Sequence, residues 1–379
     1  MMAPLRIALV VDPITALIGG GRHPLELSAA LAARGHEVRV FGLPPDWLSA
    51  PAAPLQEHVE RRLGPSVMSF EPEGIVAYDA RSPAAWIGAR VARRRDVPLV
   101  LVEADGWTER SPLQRTLWSI GERLWGGFVR RAAEAVMALD PQSRSSSLAR
   151  GFEPERIDVV PPGVDLKRFR PGLASEELGR RHIGGRILSC RLPRDAGEQH
   201  ELLIEAFART VGQRSDWSLV LIGDGQAAPR FRVCADRRGV GSRVHFLEYD
   251  LDALPGLLAN STLHAAPQDA RHVTTDLARA LACGVPVVAV DSPRVREWIR
   301  HDEHGLIARS GVAESLTLCL REAAMSPERR KRWGSAGRRL AEDRFGWDAV
   351  AARFEDKLGR DRQPAPDESD RLSLRASTS

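Results

Sequence analysis

Residues 264–291 read HAAPQDARHVTTDLARALACGVPVVAVD, and this stretch decides the fold. Its order of residues predicts the end of a strand, a loop, a helix, a tight turn and a second strand. Thr274, Thr275 and Asp276 are residue types that favour the N-cap of a helix. The first turn of a helix has unpaired N–H groups and a positive dipole end, so this helix start predicts a binding site for an anion, above all a phosphate.

The end of the predicted helix is equally well marked. Gly284 stands where a helix-ending glycine is expected, and Pro286 prevents the helix from continuing. The apolar residues 285–290 then predict a strand that is buried on both faces, as in a parallel sheet covered by helices. The stretch therefore indicates an α/β fold, in which ligands bind at the carboxyl ends of the strands.

Composition sets the outer limits of the interpretation. A chain of 379 residues is long enough for two domains, and 43% hydrophobic with 27% charged residues is ordinary for a globular protein. The net charge of +4 indicates anionic ligands only weakly. The chain has only two tyrosines and no compact basic run with interleaved aromatics, so we expect no nucleic acid partner.

The cysteines and the apolar runs bear on the compartment. The four cysteines lie far apart and form no CxxC pair, which predicts reduced thiols and a cytoplasmic protein. No apolar run reaches the length of a membrane span, so we expect no stable insertion, although peripheral association is compatible with the sequence. The start, MMAPLRIALVVD, predicts a first strand, because Asp12 ends its apolar run and no cleavage site follows.

The amino-terminal half opens as a βαβ unit. Residues 6–11 predict a strand, a glycine loop contains Gly20 and Gly21, and a helix follows His23. The glycines would let the backbone approach a ligand, although a plain strand-to-helix turn explains them equally well.

Two carboxylates mark a later strand in this half. Residues 98–102 predict a strand that ends in Glu103 and, two residues on, Asp105. At the carboxyl end of a strand such groups face the crevice of an open sheet, and Asp105 could act as a general base toward an acceptor hydroxyl. Alternatively, it caps the next helix or pairs with an arginine.

Several of these segments resemble the family 4 glycosyltransferases of the GT-B fold. The resemblance is carried by ALACGVPVVAVD at 280–291, HGLIA at 304–308, LLIEAFA at 202–208 and the crossover RIDVVPPGVDLKRFRP at 156–171. It implies an α/β protein with two doubly wound, Rossmann-like domains whose parallel sheets face each other across a cleft. The implied boundaries are an acceptor-binding domain at 1–165, a nucleotide-sugar-binding domain at 166–345, a closing helix at 346–358 that returns to the first domain, and a disordered tail at 359–379.

The resemblance also implies roles for residues in the second domain. Arg191 matches the arginine that holds the donor diphosphate, whereas the matching lysine position falls on Glu198. Arg271 and Arg279 occupy the places of two glutamates that contact the donor. The donor-binding residues so implied are Arg191, Gly223, Gly225, Arg271, Thr275, Asp276 and Arg279. In the first domain, Gly20, Gly21, His23 and Glu103 would line the acceptor side, with Asp105 as the catalytic residue.

The resemblance implies an enzyme that moves a sugar from a nucleotide-diphosphate donor to a small-molecule acceptor, without a metal or other cofactor. The two charge reversals suggest an unusual donor, such as a dTDP- or GDP-linked deoxysugar, and a role in antibiotic biosynthesis of the dihydrostreptosyltransferase type on an aminocyclitol acceptor. The alternatives are a catalytically degenerate scaffold or partner protein, a nucleotide-sugar epimerase, and a mannosyl- or lipid-linked transferase.

Overall fold

The computed structural model describes residues 3–11, 23–42, 63–104, 112–194, 196–211, 216–223, 228–268 and 273–359. The chain forms two compact units. The first consists of Met1–Leu139, Ser143–Val160 and Ala351–Ser379, and the second of Asp140–Gln142 and Pro161–Val350. The domain boundaries at 165 and 345 stay predictions of where independently folding parts begin and end.

The first unit is built on a parallel sheet. Its strands in the described residues are β1 (Arg6–Val10), β2 (Glu37–Phe41), β3 (Gly74–Tyr78), β4 (Leu99–Glu103), β5 (Ala135–Ala138) and β6 (Ile157–Val159). Their order is β2-β1-β3-β4-β5-β6, and every pairing is parallel. The residues of β3 and β4 are all buried, as expected for central strands covered on both faces.

Helices connect these strands. They are α1 (His23–Ala33), α2 (Leu63–Ser69), α3 (Pro83–Arg95), α4 (Pro112–Gly121), α5 (Gly127–Ala132) and α6 (Pro141–Ala149), with a π-helical turn at Glu122–Gly126. The α3 start shows how sequence sets these boundaries. Ser82 is the N-cap, its hydroxyl accepts the N–H of Ala85, and Pro83 occupies the first helical position.

The second unit repeats the plan. Its described strands are β7 (Arg186–Leu192), β8 (Trp217–Gly223), β9 (Val244–Glu248), β10 (Leu263–Ala266), β11 (Val287–Val290) and β12 (Gly305–Ala308). Their order is β12-β11-β10-β7-β8-β9, again with parallel pairings throughout. The two doubly wound α/β units predicted from the sequence are thereby confirmed.

The helices of the second unit lie before its first strand, between its strands and after the last one. They are α7 (Glu176–Arg180), α8 (Glu198–Thr210), α9 (Ala228–Arg237), α10 (Leu254–Ala259), α11 (Val273–Ala282), α12 (Pro293–Trp298), α13 (Ala313–Met325) and α14 (Pro327–Leu340). Gly284 follows α11 with a φ of +72°, so the helix ends as the sequence predicts. The start differs: Thr274, Thr275 and Asp276 lie inside the first turn of α11 and not at its cap.

The last helix, α15 (Trp347–Gly359), contributes to both units. Its residues from Ala351 onward belong to the first unit, where Phe354 and Leu358 are buried. In that unit the Arg34 guanidinium donates to the Glu355 carboxylate at 2.6 Å. The helix is thus held to the first unit by apolar burial and by a partly buried ion pair.

Candidate functional site

The strand order of the second unit places a crevice at one end of its sheet. Strand β7 is flanked by β8 on one side and by β10 on the other, so the direction of the winding changes between β7 and β10. Ligand sites in open α/β sheets lie outside the carboxyl ends of the strands at such a switch point. Here that position is taken by Arg191 from β7, by Ala266 and Pro267 from the end of β10, and by the start of α11.

A pocket opens at this switch point. It is lined by Arg191, Pro193, His200, His264, Ala265, Ala266, Pro267, Gln268, Val273 and Asp276. The walls are largely apolar, and the charged groups in them are the guanidinium of Arg191 and the carboxylate of Asp276. Such an arrangement suits a ligand with an anionic part, since a cation and a helix start point at one small volume.

Arg191 is the central cation of the pocket. Its Nη1 lies 3.3 Å from Oδ1 of Asp276, and its guanidinium lies 4.2 Å from the centre of the Tyr249 ring. Burial lowers the pKa of Arg191, but the Asp276 carboxylate and the Tyr249 hydroxyl outweigh burial and raise that pKa. Arg191 therefore provides a permanent positive charge that is only a quarter exposed.

Arg279 also contacts Tyr249. Its Nη1 donates a 2.6 Å hydrogen bond to Oη of Tyr249, and its guanidinium lies 5.4 Å from the ring centre of Phe169. Arg279 follows Asp276 by three residues, so both side chains lie on one face of α11. Two of the arginines predicted from the sequence are thus brought together by Tyr249.

The histidines of the pocket are buried and held by hydrogen bonds. Nδ1 of His264 lies 3.0 Å from the Ser189 hydroxyl, and Nε2 of His200 lies 2.9 Å from the Arg191 carbonyl oxygen. Burial lowers the pKa of His264 to about 4, while Asp276 acts in the opposite direction. His264 is therefore neutral at pH 7 and leaves the positive charge of the pocket to the arginines.

The start of α11 supplies polar groups that lack protein partners. Among the described residues, the hydroxyl oxygens of Thr274 and Thr275 are buried and accept or donate no hydrogen bond. Thr274 is fully buried. Neither threonine is among the residues that line the pocket, so α11 contributes Val273 and Asp276 to the pocket wall.

Gly223 lies where the sequence places it, at the end of β8. A Cβ at this position would lie 2.1 Å from the carbonyl oxygen of Leu192, so the neighbouring strand end leaves room for glycine only. Gly223 therefore shapes the sheet edge next to Arg191. Of the other residues predicted for the donor side, Gly225 and Arg271 lie outside the described residues.

The first unit contains two of the residues predicted for the acceptor side. His23 begins α1, and its Nδ1 lies 3.0 Å from the Tyr78 hydroxyl. Burial lowers the pKa of His23 to about 3, so the ring is neutral. Gly20, Gly21 and Asp105, which complete the predicted set, lie outside the described residues.

Glu103 is placed differently from the expectation that it faces a crevice. It is fully buried, its Oε1 accepts the N–H of Ala80, and its Oε2 accepts from Nη2 of Arg150 at 2.6 Å. Burial raises the pKa of Glu103, against the opposing effect of Arg150. With both oxygens engaged inside the unit, Glu103 has a structural role and does not present itself to an acceptor.

An ion-pair network surrounds Glu103. The Arg81 guanidinium donates to both oxygens of Asp79, at 2.7 and 2.9 Å, and the Trp118 indole N–H donates to Asp79 at 2.8 Å. The network fixes α4 against the carboxyl ends of β3 and β4. Asp79, Arg81 and Arg150 were not singled out in the sequence, where nothing distinguishes them from surface charges.

Neither a metal cluster nor a membrane span is found in the part of the chain that the structure describes. No group of three or more metal-ligating side chains comes together there. Residues 301–304 form a turn that contains two histidines. There Nδ1 of His301 accepts the N–H of Ile307, and Nδ1 of His304 accepts the N–H of Arg300. The described helices include none that is long and apolar enough to cross a bilayer.

Comparison with known proteins identifies both halves of the chain. Residues 18–168 match the Glycosyltransferase Family 4 model, and residues 191–340 match that of glycosyl transferases group 1. The GDP-mannose-dependent alpha-(1-6)-phosphatidylinositol monomannoside mannosyltransferase of Mycobacterium tuberculosis is 28% identical over 305 residues, covering 76% of each chain. The D-inositol 3-phosphate glycosyltransferase of Segniliparus rotundus is 25% identical, covering 86% of this chain and 80% of that one.

A solved structure agrees with these matches. The Anabaena HepE protein, crystallised with UDP and glucose, has a TM-score of 0.68 to this chain at 20% identity, covering 94% of this chain and 100% of that one. This similarity establishes the fold. The two family matches, the two parallel sheets and the two-unit architecture agree, and the chain is therefore a glycosyltransferase of the GT-B fold, with a family 4 amino-terminal part and a group 1 carboxyl-terminal part.

Proposed function

We propose that this glycosyltransferase transfers a sugar from a GDP-linked donor to a cyclitol, a polyhydroxylated cyclohexane ring. The observation that carries the donor half of the proposal is the pocket at the β7–β10 switch point, where Arg191 meets the first turn of α11. A guanidinium and unpaired backbone N–H groups are the groups that bind a diphosphate without a metal ion.

The relatives support the choice of base and acceptor. One relative is described as GDP-mannose-dependent and acts on a phosphatidylinositol mannoside, and the other acts on D-inositol 3-phosphate. Both acceptors contain an inositol ring. The aminocyclitols expected from the sequence belong to the cyclitol class. A GDP-linked deoxysugar is one of the donors expected there, and a mannosyltransferase is one of the alternatives.

In this proposal each unit has its own part of the reaction. Arg191 and the α11 start hold the diphosphate and stabilise the negative charge that develops on it as the bond to the sugar breaks. Asp105, which follows β4 in the sequence, is the proposed base that takes the proton from the attacking hydroxyl as the bond between the sugar and the diphosphate breaks. No metal is needed, because fixed cations and the helix dipole supply the positive charge.

Calorimetric titration of nucleoside diphosphates tests the donor site. We expect GDP to bind the wild-type protein and Arg191→Ala to weaken that binding about 10- to 100-fold, since a hydrogen-bonded charge contact contributes about 1.5–3 kcal/mol. Arg186→Ala is the matched control, because Arg186 lies at the other end of the same strand and pairs with an exposed aspartate. Equal GDP affinity in Arg191→Ala and the wild type would refute the proposed donor site.

Product analysis tests the transfer. The protein is incubated with GDP-mannose or a dTDP-linked deoxysugar and, in turn, with inositol 3-phosphate, phosphatidylinositol mannoside and an aminocyclitol. Mass spectrometry then detects a glycosylated acceptor. We expect one acceptor from this group to gain a hexose or deoxyhexose. Release of free sugar without acceptor modification in every combination contradicts the proposed acceptor class.

A further inference from the structure

Asp276 lies at the place where a ligand anion is expected. It belongs to the first turn of α11, lines the pocket, and pairs with the guanidinium of Arg191 at 3.3 Å. A bound phosphate would need the same guanidinium. The Asp276 carboxylate and an anion of the ligand therefore compete for the guanidinium of Arg191.

The cluster of Arg191, Arg279, Tyr249 and Asp276 is not neutralised by its one carboxylate. Arg191 and Arg279 both contact Tyr249, and Asp276 is the carboxylate that the structure pairs with either of them within its described residues. His264 beside them is neutral. The described cluster thus carries an excess positive charge even with Asp276 ionised, which leaves a further anion favourable.

The geometry of the Arg191–Asp276 pair indicates that a phosphate can replace the carboxylate at Arg191. Strong charge-assisted N–H···O contacts measure about 2.7–2.9 Å, and the Arg191–Asp276 distance of 3.3 Å is longer. Both side chains are partly exposed, at 25% and 13%, so water reaches the pair. A bidentate phosphate contact to Arg191 would be shorter and would replace it.

We propose that Asp276 is an internal competitor for the diphosphate site, which holds Arg191 in place in the empty site and promotes release of the nucleoside diphosphate after transfer. The inference rests on the proposed function. The transfer step converts a diphosphate esterified at both ends into one with a free terminal phosphate, which carries more negative charge near pH 7. The Asp276 carboxylate therefore repels the product more strongly than it repels the donor.

Replacement of the carboxylate by its neutral isostere tests this competition. In Asp276→Asn we expect GDP to bind about tenfold more tightly than in the wild type, because one like charge at close range has been removed. Asp276→Glu, which keeps the charge, is expected to bind GDP as the wild type does. Glu314→Gln is the matched control. Glu314 also lies in the first turn of a helix, α13, and also pairs with an arginine.

Steady-state kinetics gives a second readout that a merely structural role would not produce. We expect Asp276→Asn to lower the inhibition constant of GDP more than it lowers the KM of the donor, and to lower kcat if product release limits turnover. If Asp276→Asn binds GDP equally or more weakly while its melting temperature is unchanged, Asp276 only positions Arg191 and the inference is wrong.

The two proposals fail in different ways. GDP binding by the wild type that is lost in Arg191→Ala, together with no tightening in Asp276→Asn, overturns the competitor role and leaves the donor site standing. An absence of nucleoside diphosphate binding in the wild type and in all variants overturns both. If Asp276→Asn does not fold, Asp276→Ser provides the same loss of charge with a residue that helix starts favour.

Discussion

At the scale of single residues, the donor pocket combines a permanent cation with a buried neutral base. Arg191 remains charged because its pKa is raised by Asp276 and Tyr249, whereas His264, on the neighbouring strand, loses its proton because burial lowers its pKa to about 4. The positive charge of the pocket is therefore carried by Arg191 and not by His264. The stability of the folded state depends on His264 remaining neutral, so the free energy of unfolding is expected to change with pH.

We expect acid to destabilise the protein through His264. Its pKa is about 4 in the folded chain against an ordinary value of 6.5, so the folded state disfavours the protonated ring. The resulting stability is complete above pH 6.5 and is lost as the pH falls toward 4. This loss amounts to about 3 kcal/mol in the free energy of unfolding. Urea unfolding of the wild type and of His264→Asn across this range should show a flatter pH dependence in the variant.

His182→Asn is the control for this measurement. His182 is exposed in the same unit and its φ of +52° suits asparagine, so its replacement removes a histidine from the surface and not from the core. A wild-type profile that is flat from pH 6.5 to 4 would contradict the assignment of a buried, neutral His264.

At the scale of elements, the carboxyl end of α11 helps to direct the helix start toward the site. The start provides Asp276, which lines the pocket, and the end is fixed by Gly284 at a φ of +72°. A Cβ at Gly284 would lie 3.3 Å from the ring of Pro171. The direction of α11, and hence of its first turn toward Arg191, depends on this tight exit.

Gly284→Ala is expected to lower the free energy of unfolding by about 1–2 kcal/mol, because an alanine pays a steric cost at positive φ. Gly179→Ala in α7 is the opposite case in the same unit. No atom lies within 4 Å of its added Cβ, and the helical backbone favours alanine, so stability should rise by about 0.5 kcal/mol. Urea unfolding monitored by tryptophan fluorescence compares the two, and equal stability of both variants would contradict the assigned backbone conformations.

The sequence allowed most of the elements to be predicted but only part of the site. The strand–helix–strand order around α11 and the position of Arg191 at a strand end follow from local patterns. Tyr249, which joins Arg191 to Arg279, has no such pattern, because its partners come from other strands and helices. Glu103 was expected at a crevice because nothing near it in the sequence shows that Arg150, 47 residues later, pairs with it.

At the scale of the whole molecule, α15 links the end of the chain to its beginning. Phe354 and Leu358 are buried in the first unit, Glu355 pairs with Arg34, and the Lys357 ammonium lies 2.5 Å from Asp158. Leu358 contacts the start of β3, where a Cβ on Gly74 would lie 2.8 Å from its Cδ2. The first unit is therefore complete only when these last helical residues are present.

Truncation at two points tests this dependence. A chain ending at residue 359 removes only the tail predicted to be disordered, and we expect it to melt at the same temperature as the full chain. A chain ending at residue 346 also removes α15, which exposes the core of the first unit and should lower the melting temperature or abolish cooperative melting. A lower melting temperature in the chain that ends at residue 359 would contradict the predicted disorder of the tail.

The discontinuity of the first unit has a consequence for biosynthesis. Its sheet emerges from the ribosome early, while the helical residues that complete its core from Ala351 onward emerge after the entire second unit. The nascent first unit must therefore persist for most of translation with an unfilled apolar surface next to β3. Recombinant production should accordingly depend on chaperone supply and growth temperature more than the stability of the finished chain would suggest.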